Sequence, residues 1–133
     1  MAFALRTKFL TKGLPMTRSV LIVDDDADIR DFLRVALKAD GWDAQVTDSF
    51  YGALGALDAD NSISCMLLDY NLPGMPIEDF LKQARSACPP LTIILMTAAD
   101  RVADKAKKLG LKKYLAKPFN FTVVRNVLQE CAA

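Results

Sequence analysis

The chain has 133 residues, just over half of them hydrophobic (52%) and a quarter charged (25%), which is enough for one domain with a real core and too little for two. Lys and Arg (17) nearly balance Asp and Glu (16), so no strongly basic body argues for nucleic-acid binding, and the absence of histidine removes His-based general base catalysis, His-ligated zinc and phosphohistidine chemistry on this chain. The cysteines Cys65, Cys88 and Cys131 are odd in number and match neither a zinc nor a CxxC spacing, so they read as three reduced thiols.

The first segment, residues 1–17, holds Arg6, Lys8 and Lys12 but no continuous apolar stretch, which makes it a poor signal peptide and a flexible extension; Met16 is an alternative start. Residues 20–23, Val-Leu-Ile-Val, are a β-branched run without alternation, the pattern of a strand buried on both faces. The run stops at Asp24, Asp25 and Asp26. Residues 27–39 repeat Ile29, Phe32, Leu33, Ala36 and Leu37 at helical spacing, with Asp26 as the N-cap and Gly41 as the stop. A weak strand over 44–47 and a helix over 51–59 follow. Residues 65–68 form the next buried strand, ending at Asp69, and Asn71-Leu72-Pro73-Gly74 reads as a turn. The pattern predicts a helix over 77–86 with Ile77, Phe80, Leu81 and Ala84 on one face. It then predicts a strand over 91–96 ending at Thr97, and a charged helix over 101–109 closed by Gly110. A short strand over 114–116 ends at Lys117-Pro118, and the last helix, 121–131, turns Phe121, Val124, Val127 and Leu128 inward. Strands alternating with helices imply a parallel sheet covered on both faces with right-handed crossovers. No run approaches the ~20 apolar residues needed to span a bilayer.

The chemistry gathers where the strands end. In an open parallel sheet, ligands bind outside the carboxyl ends of the strands. Asp24, Asp25, Asp26, Asp69, Thr97 and Lys117 would therefore converge on one acidic pocket facing a lysine and a threonine. Clustered carboxylates repel and need a cation, and Mg²⁺, a hard ion that prefers oxygen, suits them. A carboxylate beside that ion can attack phosphorus, while the metal and a lysine neutralise charge on the transferring oxygens.

Four stretches in this order, VLIVDDD (20–26), LLDYNLPGM (67–75), LMTAAD (95–100) and YLAKPF (114–119), resemble the response-regulator receiver domain of two-component signalling. The resemblance covers residues 18–131 and implies a flavodoxin-like, doubly wound five-stranded parallel sheet of order 2-1-3-4-5, an order that general knowledge of receivers supplies and the residues do not. It implies Asp69 as phosphoacceptor, Asp24, Asp25 and Asp69 with the backbone carbonyl of Asn71 as Mg²⁺ ligands, and Asp25 as the more direct ligand of the acidic pair. Lys117 would contact the phosphoryl group, with a cis bond to Pro118. Thr97 would be the switch hydroxyl and Tyr114 the aromatic that swings between outward and inward positions.

The implied function is a phosphorylation-switched receiver, cytoplasmic, fed by a sensor histidine kinase or phosphotransfer protein and acting through a downstream protein partner. Its only catalysis would be its own phosphorylation and slow dephosphorylation. It would make no direct contact with nucleic acid or membrane, and would be a monomer or a weak dimer through the face of the fourth helix, fifth strand and fifth helix. The chain stops with the fifth helix, so no output domain is expected.

The sequence departs from many receivers in Met75-Pro76-Ile77 ahead of the third helix, in a 97–117 segment that shortens the fourth helix or its leading loop, and in Leu111 after Gly110. Two rival readings stay open. One is a receiver-shaped interaction module that works without phosphorylation. The other is a haloacid-dehalogenase-like phosphatase with Asp24 as nucleophile beside Asp26, Thr97 and Lys117, in which Asp69 would be idle.

Overall fold

In the computed structural model, residues 18–98 and 100–132 are described; the expected flexible extension over 1–17 and the alternative start at Met16 lie outside them. Five strands, β1 (Arg18–Val23), β2 (Trp42–Thr47), β3 (Ile63–Asp69), β4 (Thr92–Ala98) and β5 (Lys113–Lys117), alternate with five helices. The helices are α1 (Ala27–Ala39), α2 (Phe50–Ala59), α3 (Ile77–Ala87), α4 (Val102–Lys108) and α5 (Phe121–Ala132). All strand pairs are parallel and the sheet order is β2-β1-β3-β4-β5, as expected.

The apolar runs sort by parity onto the two faces of the sheet, because successive side chains of a strand point to opposite sides. Val20 and Ile22 of β1, Cys65 and Leu67 of β3, and Ile94 and Met96 of β4 pack with Leu33 and Leu37 of α1 and Val124 and Leu128 of α5. Leu21 and Val23, Met66 and Leu68, and Ile93 and Leu95 pack on the other face with Phe50, Phe80, Leu81 and Ala106 from α2, α3 and α4. The Phe50 and Phe80 rings stack at 4.6 Å between centroids, joining α2 to α3 and adding about 1 kcal/mol to the area they bury. Central strands therefore carry no polar alternation, which is why the sequence shows bare hydrophobic runs there.

Helix ends follow local chemistry. Asp26 caps α1, its carboxylate accepting from the amides of Asp28 (2.9 Å) and Ile29 (3.4 Å). Gly41, with φ of +92°, carries the chain out of α1. Pro76 stands at the start of α3, its carbonyl accepting from the Asp79 and Phe80 amides. The fourth helix is indeed short, with seven residues. Leu111 is buried against the α4 face of the core, and its amide donates to the Ala106 carbonyl at 2.8 Å, so a large residue after Gly110 serves as an anchor for the short helix. One expectation fails: Phe32 of the α1 apolar stripe is 45% exposed, because Leu33 and Leu37 take the buried face of the helix and Phe32 falls outside it.

Candidate functional site

The parity that sorts the core also builds the site. Asp24 continues the α1/α5 side of β1, Asp69 that of β3 and Lys117 that of β5, so the three side chains emerge together at the carboxyl end of the sheet. Lys117 Nζ donates to Asp24 Oδ2 at 2.7 Å and to Asp69 Oδ1 at 3.2 Å. One ammonium thus bridges β1 and β3 from the edge strand. The Lys117–Pro118 peptide bond is cis, as expected.

Each carboxylate is held further. Asp24 is fully buried, and its Oδ1 accepts from the amide of Asp26 at 2.9 Å. Asp69 is 4% exposed, and its Oδ1 accepts a long 3.4 Å bond from the amide of Asn71. Tyr70, between them, donates its amide to the Met96 carbonyl at 2.9 Å, which pins this turn to β4. Asp25 is exposed, yet one ligand oxygen from each of Asp24, Asp25 and Asp69 lies within 4.8 Å of the others. Hard carboxylate oxygens gathered so closely, with a single ammonium among them, fit a hard divalent cation.

Burial, and then the neighbouring Asp24 charge, raise the Asp69 carboxyl above the ordinary carboxylate range, against the opposing pull of Lys117 and the Asn71 amide. For Lys117, burial works against the ammonium, but the Asp24 hydrogen bond and the Asp69 and Asp24 charges outweigh it, and its pKa rises. The lysine is therefore a fixed cation, and Asp69 is a carboxylate whose negative charge is poorly supported.

Thr97 lies one residue beyond Met96, the register partner of Asp69. Its hydroxyl is buried (the residue is 1% exposed) and has no hydrogen-bond partner among the described residues. Leaving such a group unsatisfied costs about 1–3 kcal/mol. Tyr114 pairs with Leu95 in β5, on the same sheet face as Thr97, and is 41% exposed. Asn71 is exposed at the mouth. Asp26 stands apart, exposed and committed to capping α1, which deprives the phosphatase reading of its second carboxylate.

Sequence reasoning missed Arg30, whose Nη1 donates to the Asp24 backbone carbonyl at 2.8 Å from the first turns of α1. Its signal was the arginine one turn past the cap, where a helix leaving a strand end can reach back.

The response regulator receiver domain family matches residues 20–129. The probable transcriptional regulatory protein TcrX of Mycobacterium tuberculosis is 33% identical over 114 residues, 84% of this chain and 47% of its own length. The response regulator protein FleR of Pseudomonas aeruginosa is 37% identical over 106 residues, 78% of this chain and 22% of its own. This chain therefore spans less than half the length of these curated relatives. The solved structure of the chemotaxis response regulator CheY4 of Vibrio cholerae superposes with a TM-score of 0.78 at 26% identity, covering 87% of this chain and 99% of that one.

Proposed function

The chain belongs to the response regulator receiver family, and from that premise we propose that it is a switch that takes a phosphoryl group on Asp69 from a sensor histidine kinase or phosphotransfer protein. The observation that carries the reading is the unpartnered Thr97 hydroxyl, buried at the end of β4 one residue past the register partner of Asp69, a carboxylate whose charge is poorly supported. A phosphoryl group on Asp69 brings acceptor oxygens for the hydroxyl, and it moves the negative charge from the buried carboxylate outward onto phosphoryl oxygens, where Lys117 and a divalent cation would balance it.

In the transfer, an Asp69 carboxylate oxygen bonds to phosphorus as phosphorus parts from the donor's nitrogen or acyl oxygen. Later hydrolysis passes the phosphoryl group to water and restores the carboxylate. Lys117, already bridging Asp24 and Asp69, stays beside the phosphoryl oxygens as a fixed cation. Asp24, Asp25 and Asp69, with the backbone carbonyl of Asn71, are the ligands for Mg²⁺, which when bound neutralises charge on the phosphoryl oxygens. Arg30, on the Asp24 carbonyl, holds the acidic pair in place.

The Thr97 hydroxyl donates to the phosphoryl group only in the phosphorylated arrangement, so phosphate biases that state. Tyr114, half-exposed on the same face, turns inward as Thr97 moves, and the α4–β5–α5 face changes its affinity for a downstream protein or a second copy. The chemistry is self-catalysed uptake and hydrolysis, not turnover of a separate substrate. No helix of the described residues is long and apolar enough to cross a membrane. The domain's place in this reading is the cytoplasm, beside its kinase, with no direct contact to nucleic acid or membrane.

The test is incubation with acetyl phosphate, with and without Mg²⁺, followed by intact mass. The expected result is a Mg²⁺-dependent gain of one phosphoryl group that Asp69→Asn abolishes while keeping its fold. Labelling that survives in Asp69→Asn overturns the assignment, and no gain in the wild type under any condition overturns the phosphorylation reading.

A further inference from the structure

Beside the site, α4 walls an open groove of about 660 Å³ lined by Tyr70, Arg101, Asp104, Lys105, Lys107 and Lys108. Lys105 Nζ lies 4.9 Å from the centroid of the Tyr70 ring, so the ammonium rests on one face of the ring that lines the groove. Among the described residues, none of these four cations is ion-paired to a carboxylate.

The charge of the whole molecule is segregated around this feature. Residues 101–113 hold six cations (Arg101, Lys105, Lys107, Lys108, Lys112, Lys113) and one carboxylate (Asp104), whereas residues 18–100 hold fourteen carboxylates and six cations. Part of this has a local cause, since Lys105, Lys107 and Lys108 in the last turn complement the negative end of the α4 dipole. Arg101 has no such cause. It stands at the positive end, in a left-handed conformation (φ 57°), and its side chain makes no cap hydrogen bond. A long cationic side chain there is unfavourable on both counts. Its placement at the rim of the groove gives it an electrostatic use that α4 itself does not.

We infer that the groove docks a short acidic peptide segment of a partner protein, with carboxylates on Arg101, Lys105 and Lys108 and an apolar side chain against the part of the Tyr70 ring that Lys105 leaves open. The volume exceeds what a single small anion fills, and the open part of the aromatic ring suits a residue that is not charged. A long polyanion such as nucleic acid fits poorly. Tyr70 follows Asp69 directly, so a backbone running through the groove would continue past the Asp24, Asp25 and Asp69 carboxylates. Docking of this kind needs no phosphoryl group, so it goes beyond the phosphotransfer reading and is tested without it.

The experiment is fluorescence anisotropy of a labelled peptide of alternating glutamate and leucine, titrated with the full chain in the absence of phosphodonor, with amide chemical shifts followed in parallel. The peptide is expected to bind and to shift the Tyr70, Arg101 and Lys105 amides. Arg101→Glu/Lys105→Glu is expected to weaken binding by about tenfold or more. Arg34→Glu/Lys38→Glu, an equal charge change on α1, is expected to weaken it by less than about threefold, the part due to net charge alone. If the double reversal on α4 fails to fold, Lys105→Gln replaces it, with an expected loss of about threefold. An equal loss in the α1 control, competition by single-stranded DNA of equal charge as effective as the unlabelled peptide, or self-association that depends on Arg101 and Lys105 without peptide binding would each overturn the proposal.

Discussion

Asp60, at the end of α2 three residues ahead of β3, and Asp69, the last residue of β3, flank that strand and use the same local turn. Asp60 Oδ1 accepts from the Ser62 amide at 2.9 Å, and Asp69 Oδ1 from the Asn71 amide at 3.4 Å. Beyond that turn they differ. Asp60 also accepts from the Ser62 hydroxyl (2.6 Å) and from Gln45 Nε2 (2.7 Å). The Ser62 hydroxyl does most to hold the Asp60 carboxyl below the ordinary range, against a smaller opposing effect of burial. Asp69 is nearly sealed, faces the Asp24 charge, shares its lysine and sits above the ordinary range. The amino end of the sheet has satisfied its polar groups, and the carboxyl end has left a carboxylate and a hydroxyl wanting. Interactions withheld from the fold are those a ligand can supply, the usual trade between stability and activity.

The comparison breaks most visibly at Lys117. Lys117→Ala leaves Asp24 and Asp69 facing each other without their shared cation, and urea denaturation should show a loss of about 2–3 kcal/mol. A loss below about 1 kcal/mol would mean that water already screens the pair and that the carboxyl end is less sealed than the geometry indicates. At the other end, Asp60→Ala removes the acceptor for Ser62 and Gln45 and should cost about 1–2 kcal/mol while leaving phosphoryl uptake unchanged. Uptake that falls with it would join the two ends that the comparison separates.

Thr97→Val keeps shape and deletes the unpartnered hydroxyl. It should raise the unfolding free energy by about 1 kcal/mol and suppress the shift changes at Tyr114 that phosphorylation otherwise produces. A destabilised Thr97→Val protein would show that the hydroxyl has a partner in solution.

The smallest effect is a pH dependence of opposite sign for the two aspartates. Asp69 binds its proton more tightly folded than unfolded, so its contribution to stability is present below the ordinary carboxylate range and lost as pH rises through its raised value. Asp60 contributes above the ordinary range and loses that contribution as pH falls through its lowered value. As pH rises from mild acid to neutral, Asp69→Asn should therefore gain stability relative to wild type, whereas Asp60→Asn should lose it only at lower pH, as pH rises out of strong acid through the lowered Asp60 value. Solvent screening keeps the Asp60 share below about 1 kcal/mol. Parallel urea midpoints for the two variants across pH would remove the contrast.

The sheet was legible in the sequence because its central strands are buried on both faces and appear as bare apolar runs ending at Asp24, Asp69 and Thr97. Strand starts were read short: exposed Asp43 cuts Trp42 off from the rest of β2, exposed Ser64 cuts Ile63 off from the run of β3, and β5 begins at half-buried Lys113, so polar residues break the apolar pattern there. The positions of Asp24, Asp69, Thr97 and Lys117 at strand ends were legible as well, since a strand end is a local property. Their inequality was not. Asp24 is sealed and Asp25 open, although they are chemically identical neighbours, because the pleat and Lys117 from the last strand decide which one turns inward. The exposed Phe32, the Arg30 bond to the Asp24 carbonyl and the missing partner of Thr97 likewise depend on what other elements place nearby.

The Lys117–Asp24 pair joins residues 93 positions apart. At the usual pace of protein synthesis, roughly 5–20 residues per second, the ribosome makes Asp24 some 5–20 s before Lys117. Asp69 is also made before the lysine that it will share. Throughout that interval the two aspartates that meet in the finished pocket have no internal cation, so a nascent chain held short of β5 carries an acidic pair that favours staying apart. The pocket is therefore completed only when β5 is made, with α5 alone still to follow, and a product truncated before Lys117 would carry the acceptor without the cation that holds it.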